Sequence, residues 1–533
     1  MATQRRAAPR QLRYEAGPFR GMRDALDQVA PSPAHARLLQ NCYPIDPVNG
    51  SAVVGRPGFQ QMGAIGGASS KRVGQLVGQF TKRDGTTYTV RIVGGQGIDT
   101  FNHSSRTWTN VVTVANLTTN SITLSETSRI SAVVFTDKLV ISDGVNVPWM
   151  WDGTSGSTGL TKLTNCPVLY GPPVVYFAKL TGIKNSQRNV LVWSEENDAT
   201  VGYENASYSN SWEMVQTNSE GAYALAPTED VMYVLRGNST TAVYGAVSSE
   251  FTSTGTQEAV SGTVGTRSPW SVLVHGAHVY FLDSMGRPQV IVGGRLQDPP
   301  LWQDVRETCK SVNVAALDVV QSWYDPETRL VCIGYPEGSG VRCSAIFGIS
   351  PLTRGPVAIF RGYEFDRVGV VYNAALERVV VHLASDGYSY DHGTEGGTLW
   401  SDAFQSGTAA ITHIVESPYL GYDTAFAKRW QRLDFTIRSL TATSMAVQYS
   451  IPSGATASLT VSVTSIGLAT FGSAIFGTSV FGGSFAEMHG AVGWNGSGRW
   501  LTWKVTHATA GEQFAFLVGT VKAIPADQSP TRP

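Results

Sequence analysis

The sequence has no apolar run that approaches the roughly 18 residues required for a transmembrane helix. Its basic N-terminus, MATQRRAAPR, is not followed by the hydrophobic stretch of a signal peptide either. We therefore expect a protein without a membrane anchor that is synthesised and folds in the cytoplasm.

Cysteine is also scarce. The chain has five cysteines, an odd number that is too small for a disulfide framework: Cys42, Cys166, Cys309, Cys332 and Cys343. Their sparse distribution favours reduced thiols, as in a cytosolic protein.

Charge is low and balanced. Charged residues make up 15% of the chain, and 40 basic side chains oppose 41 acidic ones, for a formal net charge of −1. The chain as a whole has no electrostatic drive toward nucleic acid or an anionic membrane, so any contact with DNA would be local or steric. The N-terminal stretch is locally basic, with Arg5, Arg6, Arg10, Arg13 and Arg20. Such an arm is usually solvated, and a specific nucleic-acid role is the alternative.

Glycine is abundant, with 56 residues, alongside many Ser, Thr and Val residues and 10% aromatic residues. This composition is typical of many short strands joined by tight turns, and it predicts an all-β protein. At 533 residues the chain is long enough for two β domains.

Short apolar runs followed by turn residues recur along the chain up to about residue 400. They begin roughly 40 to 60 residues apart, which is the repeat size of a four-stranded propeller blade. The pattern predicts a β-propeller of about six to eight blades over residues 37–400, with stacked β-sandwiches as the alternative. The defining runs are Tyr88–Val93, Val133–Ser142, Val174–Leu180, Val231–Leu235, His278–Leu282, Arg329–Tyr335 and Arg378–Leu383.

Beyond residue 400 apolar and polar residues alternate, as in half-exposed antiparallel strands. The alternation predicts an additional β-sandwich domain over residues 401–524. Residues 1–36 are expected to form an N-terminal arm and residues 525–533 a flexible tail. The alternating segments are Ile411–Ser417, Arg432–Arg438, Met445–Ser450, Ser458–Ser465 and Trp500–Thr506.

The segment Cys42–Phe59, CYPIDPVNGSAVVGRPGF, precedes the first of these units. Its three prolines and three glycines predict an extended, turn-rich chain. We expect it to enter the ring of blades and help to close it by pairing with a late strand near Arg378 to Tyr390. Its residues Arg56 and Phe59 are candidates for contacts between subunits.

A five-residue repeat, ATFGSAIFGTSVFGG, lies within the predicted sandwich and places Phe471, Phe476 and Phe481 each before a glycine. This spacing matches neither a strand nor a helix, so it predicts a looped segment that inserts aromatic rings into successive pockets. Those pockets belong either to the chain's own sandwich or to a neighbouring subunit. The three phenylalanines are therefore further candidates for subunit contacts.

Catalytic and metal-binding patterns are weak. His275 and His278 have HxxH spacing, but residues three apart on one strand point to opposite faces, which argues against zinc. Cys332 and Cys343 are expected to be cross-strand neighbours that pack in the core. The chain has no phosphate-binding loop, dinucleotide fingerprint or nucleophile elbow. We predict no catalytic residue, no metal ligand and no cofactor.

Carbohydrate recognition or glycan cleavage by the propeller is the alternative function. Glu195, Glu196 and Asp198 follow a strand and could line a cleft, although three acids in a polar turn are also expected from composition. Several tryptophans next to polar turns either form a sugar-binding surface or pack between blades. These are Trp149, Trp151, Trp193, Trp212 and Trp302.

Four segments carry a family likeness, in this order: LLQNCYPIDP…VVGRPGF (Leu38–Phe59), NVLVWSEENDAT (Asn189–Thr200), KRWQRLDFTIR (Lys428–Arg438) and GRWLTWKVTHATAGEQFAF (Gly498–Phe516). They resemble an opening before the first blade, a strand ending in Trp-Ser with an acidic turn, the start of a late β domain, and a final hairpin. Together they resemble the propeller-bearing tail nozzle or hub proteins of short-tailed bacteriophages.

This resemblance implies a structural, non-enzymatic subunit of the virion tail. Such subunits form a ring with copies of themselves, commonly sixfold, around the DNA-ejection channel below the portal and adaptor. The implied partners are the head–tail adaptor, tail fibre or other tail proteins, and genomic DNA in transit. A net charge near zero suits a conduit, because each neutralised phosphate adds affinity that would slow the DNA.

Overall fold

The computed structural model describes most of the chain, and the folded elements are almost all β-strands. Among the residues that the structure describes, no helix is long and apolar enough to cross a membrane. The described residues are 11–24, 34–62, 76–126, 129–204, 207–214, 220–245, 256–373, 376–384, 388–392, 401–404, 407–421, 427–439, 443–451, 456–463, 486–508 and 514–525.

The N-terminal part of the chain is a connector of seven short strands. They are β1 (Leu12–Ala16), β2 (Gly21–Met22), β3 (His35–Ala36), β4 (Leu38–Gln40), β5 (Cys42–Pro44), β6 (Val53–Gly55) and β7 (Phe59–Gln61). Proline and glycine interrupt this segment, so its strands are at most five residues long.

The first two blades are four-stranded antiparallel meanders. Blade one is β8 (Leu76–Thr81), β9 (Thr87–Val93), β10 (Gly97–Asn102) and β11 (Thr107–Thr113), followed by the helix α1 (Val114–Thr119). Blade two is β12 (Ser131–Phe135), β13 (Lys138–Ser142), β14 (Trp149–Trp151) and β15 (Leu160–Lys162).

Blades three to five repeat this arrangement. Blade three is β16 (Leu169–Tyr176), β17 (Lys179–Lys184) and β18 (Val190–Glu195), with both β19 (Asp198–Gly202) and β20 (Ser211–Glu213) paired to β18. Blade four is β21 (Ala222–Pro227), β22 (Val231–Arg236), β23 (Thr240–Tyr244) and β24 (Thr256–Ser261). Blade five is β25 (Leu273–His275), β26 (His278–Leu282), β27 (Pro288–Val292) and β28 (Arg295–Leu296).

Blades six and seven share one long strand. Blade six is β29 (Gln321–Asp325), β30 (Leu330–Tyr335), β31 (Cys343–Ser350) and the first half of β32 (Gly355–Tyr372). The second half of β32 is the innermost strand of blade seven and pairs with β33 (Arg378–Ala384), which pairs with β34 (Ser389–His392). A 3-10 turn, Pro269–Ser271, leads into blade five. The short helical segments between blades five and six are α2 (Arg306–Cys309) and two 3-10 turns, Leu301–Gln303 and Val314–Val319.

The strand β7 completes blade seven and closes the ring. Tyr390 pairs with Gln61 and His392 with Phe59, so the outermost strand of the last blade comes from the connector. The innermost strands of all seven blades touch one another in sequence, and β32 in turn touches β8. The fold is therefore a seven-bladed propeller, and the pairing predicted for the connector near Arg378 to Tyr390 is confirmed.

The second domain is a β-sandwich. One sheet has the order β41 (Ala486–Gly498), β38 (Lys428–Ser439), β43 (Phe514–Pro525), β6 and β5, with β1 also on β43. The other has the order β4, β37 (His413–Glu416), β42 (Thr502–His507), β39 (Thr443–Ser450) and β40 (Thr456–Val463). Trp503 and Phe516 join the sheets, with ring centres 5.2 Å apart. A separate hairpin, β35 (Ser401–Phe404) and β36 (Gly407–Ala410), precedes this domain.

Strand pairing corrects two expectations about the sandwich. Leu12–Ala16 pairs with β43, and the strands from Leu38 to Gly55 also pair into the sandwich, so these segments belong neither to a free arm nor to the propeller alone. The expected final hairpin within Gly498–Phe516 is wrong, because β42 and β43 lie in the two facing sheets.

Both domains share one hydrophobic core. The largest cluster of buried side chains runs from sandwich residues such as Trp503, through the connector residue Leu39, to Val331 in blade six. Smaller clusters fill the spaces between the other blades. The β4 strand also joins β37 of the sandwich to β32 of the propeller, which makes one sheet continuous across the two domains.

Candidate functional site at the junction of the two domains

Asn41, between β4 and β5, is the residue on which the junction is built. Its backbone N–H donates to the Ile359 carbonyl of blade six at 2.8 Å, and its Nδ2 donates to the Thr412 carbonyl beside the sandwich at 3.0 Å. Its Oδ1 accepts from the Arg361 N–H at 2.7 Å and from Arg56 Nε at 3.3 Å. The backbone has a φ of 56°, a conformation that asparagine tolerates better than most residues. One buried side chain thus links blade six, the sandwich and the connector.

Arg56 and Phe59, the candidates for subunit contacts, form part of the same interior. Each has 1% of its surface exposed. The guanidinium of Arg56 lies 5.1 Å from the ring centre of Phe59 and 5.0 Å from that of Tyr363. Phe59 also packs edge-on against Tyr363 and His382. Because contacts inside the chain bury both side chains, they offer no surface to a second subunit.

A charged pair borders this interior. Arg361 Nε donates to Glu337 Oε2 at 2.9 Å, and its Nη1 donates to Gln40 Oε1 of the connector at 3.3 Å. Burial alone would raise the pKa of Glu337, but hydrogen bonds from Arg361 and Ser311 hold that pKa below its ordinary value. The pair anchors the connector to blade six with ionised groups.

Two buried histidines lie on the sandwich side of the junction. The Nδ1 atoms of His413 and His507 are 3.4 Å apart, and both side chains are fully buried. Burial lowers the pKa of His413 to about 3, with contributions from His507 and Arg56. A Cβ at Gly55 would lie 2.5 Å from His413 Nε2, so the close approach of the connector requires glycine there.

The turn that contains Trp270 packs against residues of several blades. This blade-five residue lies 5.2 Å from the Arg129 guanidinium of blade two and 4.7 Å from that of Arg367 of blade seven, measured to its ring centre. Its neighbour Pro269 lies so close to Gly171 of blade three that a Cβ there would be 3.0 Å away. The turn that leads into blade five thus contacts residues of blades two, three and seven.

The acidic residues proposed for glycan cleavage lie at an exposed turn of blade three. Glu195 accepts a hydrogen bond from Asn210 Nδ2 at 2.7 Å. Asp198 accepts from the Thr200 hydroxyl at 2.6 Å and from the Thr200 N–H at 2.8 Å, and these two hydrogen bonds lower the pKa of Asp198. Glu196 is exposed. These contacts are those of a structured turn between β18 and β19.

The histidines and cysteines considered as metal ligands also have structural positions. His275 and His278 pair directly across the β25–β26 turn, so they share a face and the expectation of opposite faces is wrong. Cys332 pairs with Gly348 and Cys343 with Phe365, so these cysteines are not cross-strand neighbours, although both are buried in one cluster. Among the described residues, no group of three or more His, Cys, Asp or Glu side chains could hold a metal ion.

The tryptophans serve packing rather than an open surface. Trp302 is partly buried beneath the Arg287 guanidinium at 4.8 Å. The other four are buried: Trp149, Trp151, Trp193 and Trp212. All five cysteines are free and buried. Phe471, Phe476 and Phe481 lie outside the described residues, so their proposed subunit contacts stay a prediction.

Sequence reasoning missed the residues that matter most at the junction, Asn41, Glu337 and Arg361. The one available signal was an asparagine placed between two short apolar strands, a residue type suited to positive φ. The role of the site is structural: its buried hydrogen bonds fix the propeller to the sandwich.

No protein-family model matches the chain, and no curated protein matches it. Solved structures that are similar to part of it include a designed protein and a WD40 domain. The computationally designed Ika8 protein shares 11% identity with a TM-score of 0.36, covering 62% of this chain and 99% of that one. The WD40 β-propeller domain of Doa1 shares 10% identity with a TM-score of 0.37, covering 64% and 98%. Both TM-scores are too low to support an argument about the fold. The assignment of the fold therefore rests on the strand pairing described above.

Proposed function

We propose that this protein is a structural, non-enzymatic subunit of a bacteriophage tail, of the nozzle or hub type. In this role it forms a ring of six copies around the DNA-ejection channel below the portal and adaptor. Its partners are its own copies, the adaptor and the tail fibre or other tail proteins, and its location is the virion.

The observation that carries this proposal is the construction of the junction. The connector pairs with blade six through β4, with blade seven through β7 and with both sandwich sheets, and one core runs through the two domains. Such a subunit holds its domains in a fixed relation, which suits a part that must keep its shape in a ring. The segments that resemble nozzle proteins, Leu38–Phe59 and Lys428–Arg438, supply the connector and a central sandwich strand.

The contacts of the Trp270 turn bear on where DNA would pass in this proposal. The Trp270 turn bridges residues of blades two, three and seven, so in this proposal DNA runs in a channel enclosed by several subunits and not through a single propeller. The net charge of −1 suits that passage, because a weakly charged wall retains few phosphates.

Electron microscopy and mass photometry of the purified full chain, together with mass spectrometry of purified virions, test the proposal. We expect a closed ring and a stoichiometric place in the tail. A chain that stays monomeric at all concentrations and is absent from virions would refute it.

A groove between blades four and five is the feature that favours the second candidate, carbohydrate recognition. Its volume is about 440 Å³, and it is lined by the exposed acids Glu229 and Asp230 and by Tyr233 and Tyr244. Carboxylates and tyrosines provide the hydrogen-bonding groups that orient a polar ligand. A glycan array with the wild type and with Glu229→Gln/Asp230→Asn tests this. Binding that the double variant abolishes would support it, and no binding to any host polysaccharide would exclude it.

A further inference from the structure

An edge strand of a β-sheet exposes a row of main-chain donors and acceptors. Proteins normally protect such edges with charged residues, proline, bulges, short length or a covering segment. A long edge strand without any of these protections is a template for another strand.

Among the described residues, the β40 strand is the last in its sheet. Its eight residues, TASLTVSV, pair with β39 from Thr456 opposite Ser450 to Val463 opposite Thr443. Within the described part of the chain it pairs with no other strand. The strand contains no charged residue, no proline and no glycine, and its side chains Ser458 and Thr460 are exposed.

Several other edge strands in the described part of the chain are protected. In the sandwich, β1 carries Arg13 and Glu15, whereas β5 is three residues long and ends in Pro44. The edge strand β41 contains Glu487 and several glycines, and its pairing with β38 is irregular. In the propeller, the β11 carbonyl of Val111 already accepts a hydrogen bond from Gly156.

The surrounding sequence is unusual in its charge. No Asp, Glu, Lys, Arg or His occurs between Arg438 and Glu487, although charged residues make up 15% of the chain. Burying an unpaired charge is costly, so permanent interfaces exclude charge from their centres. The hairpin of β39 and β40 has the composition of a surface that is covered in an assembly.

A groove of about 420 Å³ runs along the same sheet and ends at this edge. It is lined by polar side chains of four strands, including Glu416, Lys504, Gln448 and Ser458. Because these residues are register partners across β37, β42, β39 and β40, the groove leads directly to the open strand. It provides space for side chains that flank an added strand.

We infer that β40 accepts a strand from a neighbouring copy of this chain, extending its sheet across the interface between subunits. The inference rests on the proposed ring, because a closed ring needs a heterologous contact in which the accepting and donating surfaces differ. In each copy β40 accepts the added strand, and a different segment of the next copy donates that strand.

The test uses the full chain with Ser458→Lys/Thr460→Lys. Both side chains are exposed, so the variant keeps the fold, which its thermal unfolding should verify. Lysines along the edge disfavour strand addition, so mass photometry should show loss of the ring and a monomer. The matched control, Ser497→Lys on the exposed edge of β41, should assemble as the wild type does.

A mixing experiment tests the direction of the contact. Tagged double variant still donates its strand, so it should co-purify with untagged wild type as short, open oligomers. If β40 instead paired with β40 of the partner, the variant would be excluded from wild-type complexes, which would overturn the inference. A double variant that forms intact rings would also overturn it while leaving the ring function standing. A wild type that is monomeric and absent from virions would overturn both.

Discussion

The side-chain oxygen of Asn41 accepts a hydrogen bond from the backbone N–H of Arg361 at 2.7 Å, between residues 320 positions apart. The same side chain donates to the Thr412 carbonyl of the sandwich side. Because one rigid, buried amide satisfies groups of both domains, their relative position is set by a few short bonds. Asn41 thus adds to the strand pairing and the shared core in fixing the relation between the propeller and the sandwich.

Replacing Asn41 by alanine should destabilise the protein by about 3 kcal/mol, because buried donors and acceptors lose their partners. Alanine also adopts the φ of 56° poorly, so Asn41→Gly should be less harmful than Asn41→Ala by about 1 kcal/mol. Urea unfolding of the two variants measures both effects. The exposed turn residue provides the control: Asn49→Ala should change stability by less than about 0.5 kcal/mol. Equal urea-unfolding midpoints for Asn41→Ala and Asn49→Ala would contradict the role of Asn41 as a link between the two domains.

Phe59→Ala should weaken the closure of the propeller. Phe59 is buried against Arg56, Tyr363 and His382 on the strand that completes blade seven, and removing such a ring costs about 3–5 kcal/mol. We expect a lower melting temperature and early proteolytic cleavage within blade seven. Phe177→Ala is the matched control, because that side chain is 43% exposed in a turn. Cleavage that begins in another blade would argue against closure at β7.

The propeller was predictable because the second strand of each blade is a strongly apolar run. The seven runs found in the sequence fall on β9, β13, β17, β22, β26, β30 and β33, or overlap them. Turns without glycine were less visible. The run Val133–Ser142 contains two strands, because Thr136 and Asp137 form a turn with φ values of 43° and 60°.

The junction could not be predicted from the sequence, since its contacts join residues hundreds of positions apart. Arg56 and Phe59 were predicted to contact a second subunit, and that prediction is wrong, because both side chains are buried inside the chain. A sequence does not distinguish a partner in the same chain from one in a second subunit. The structure places that partner in Tyr363, inside the chain.

The buried ion pair of blade one provides a third prediction. Arg91 Nη2 lies 2.6 Å from Asp99 Oδ2, with both side chains almost fully buried. Arg91→Met should cost about 3–5 kcal/mol, because it leaves a buried carboxylate without its counter-charge. Arg91→Met/Asp99→Leu should recover much of that loss, and a double-mutant cycle by urea unfolding measures the coupling. At the exposed pair of Arg13 and Glu15, Arg13→Met should cost less than about 1 kcal/mol. If Arg91→Met and Arg13→Met lowered the free energy of unfolding by similar amounts, burial would not determine how much an ion pair contributes to stability.

His413 should make the protein less stable in acid. Burial first, and then His507 and Arg56, lower its pKa from 6.5 to about 3, so the folded state holds the ring neutral while the unfolded chain binds a proton. Its contribution to stability is therefore complete above about pH 6.5 and is lost as the pH falls toward 3. Each pH unit in that window removes up to about 1.4 kcal/mol, or about 2 kcal/mol between pH 8 and pH 5.

The variant His413→Gln separates this titration from packing. It should be less stable than the wild type at pH 8, because the buried contacts change, yet lose about 2 kcal/mol less between pH 8 and pH 5. Urea unfolding at both pH values gives the difference. His278→Gln, at a half-buried turn, should keep most of the wild-type pH dependence. If His413→Gln and the wild type lose stability in parallel, His413 is already protonated in the folded protein at pH 5, and its burial does not control the acid response.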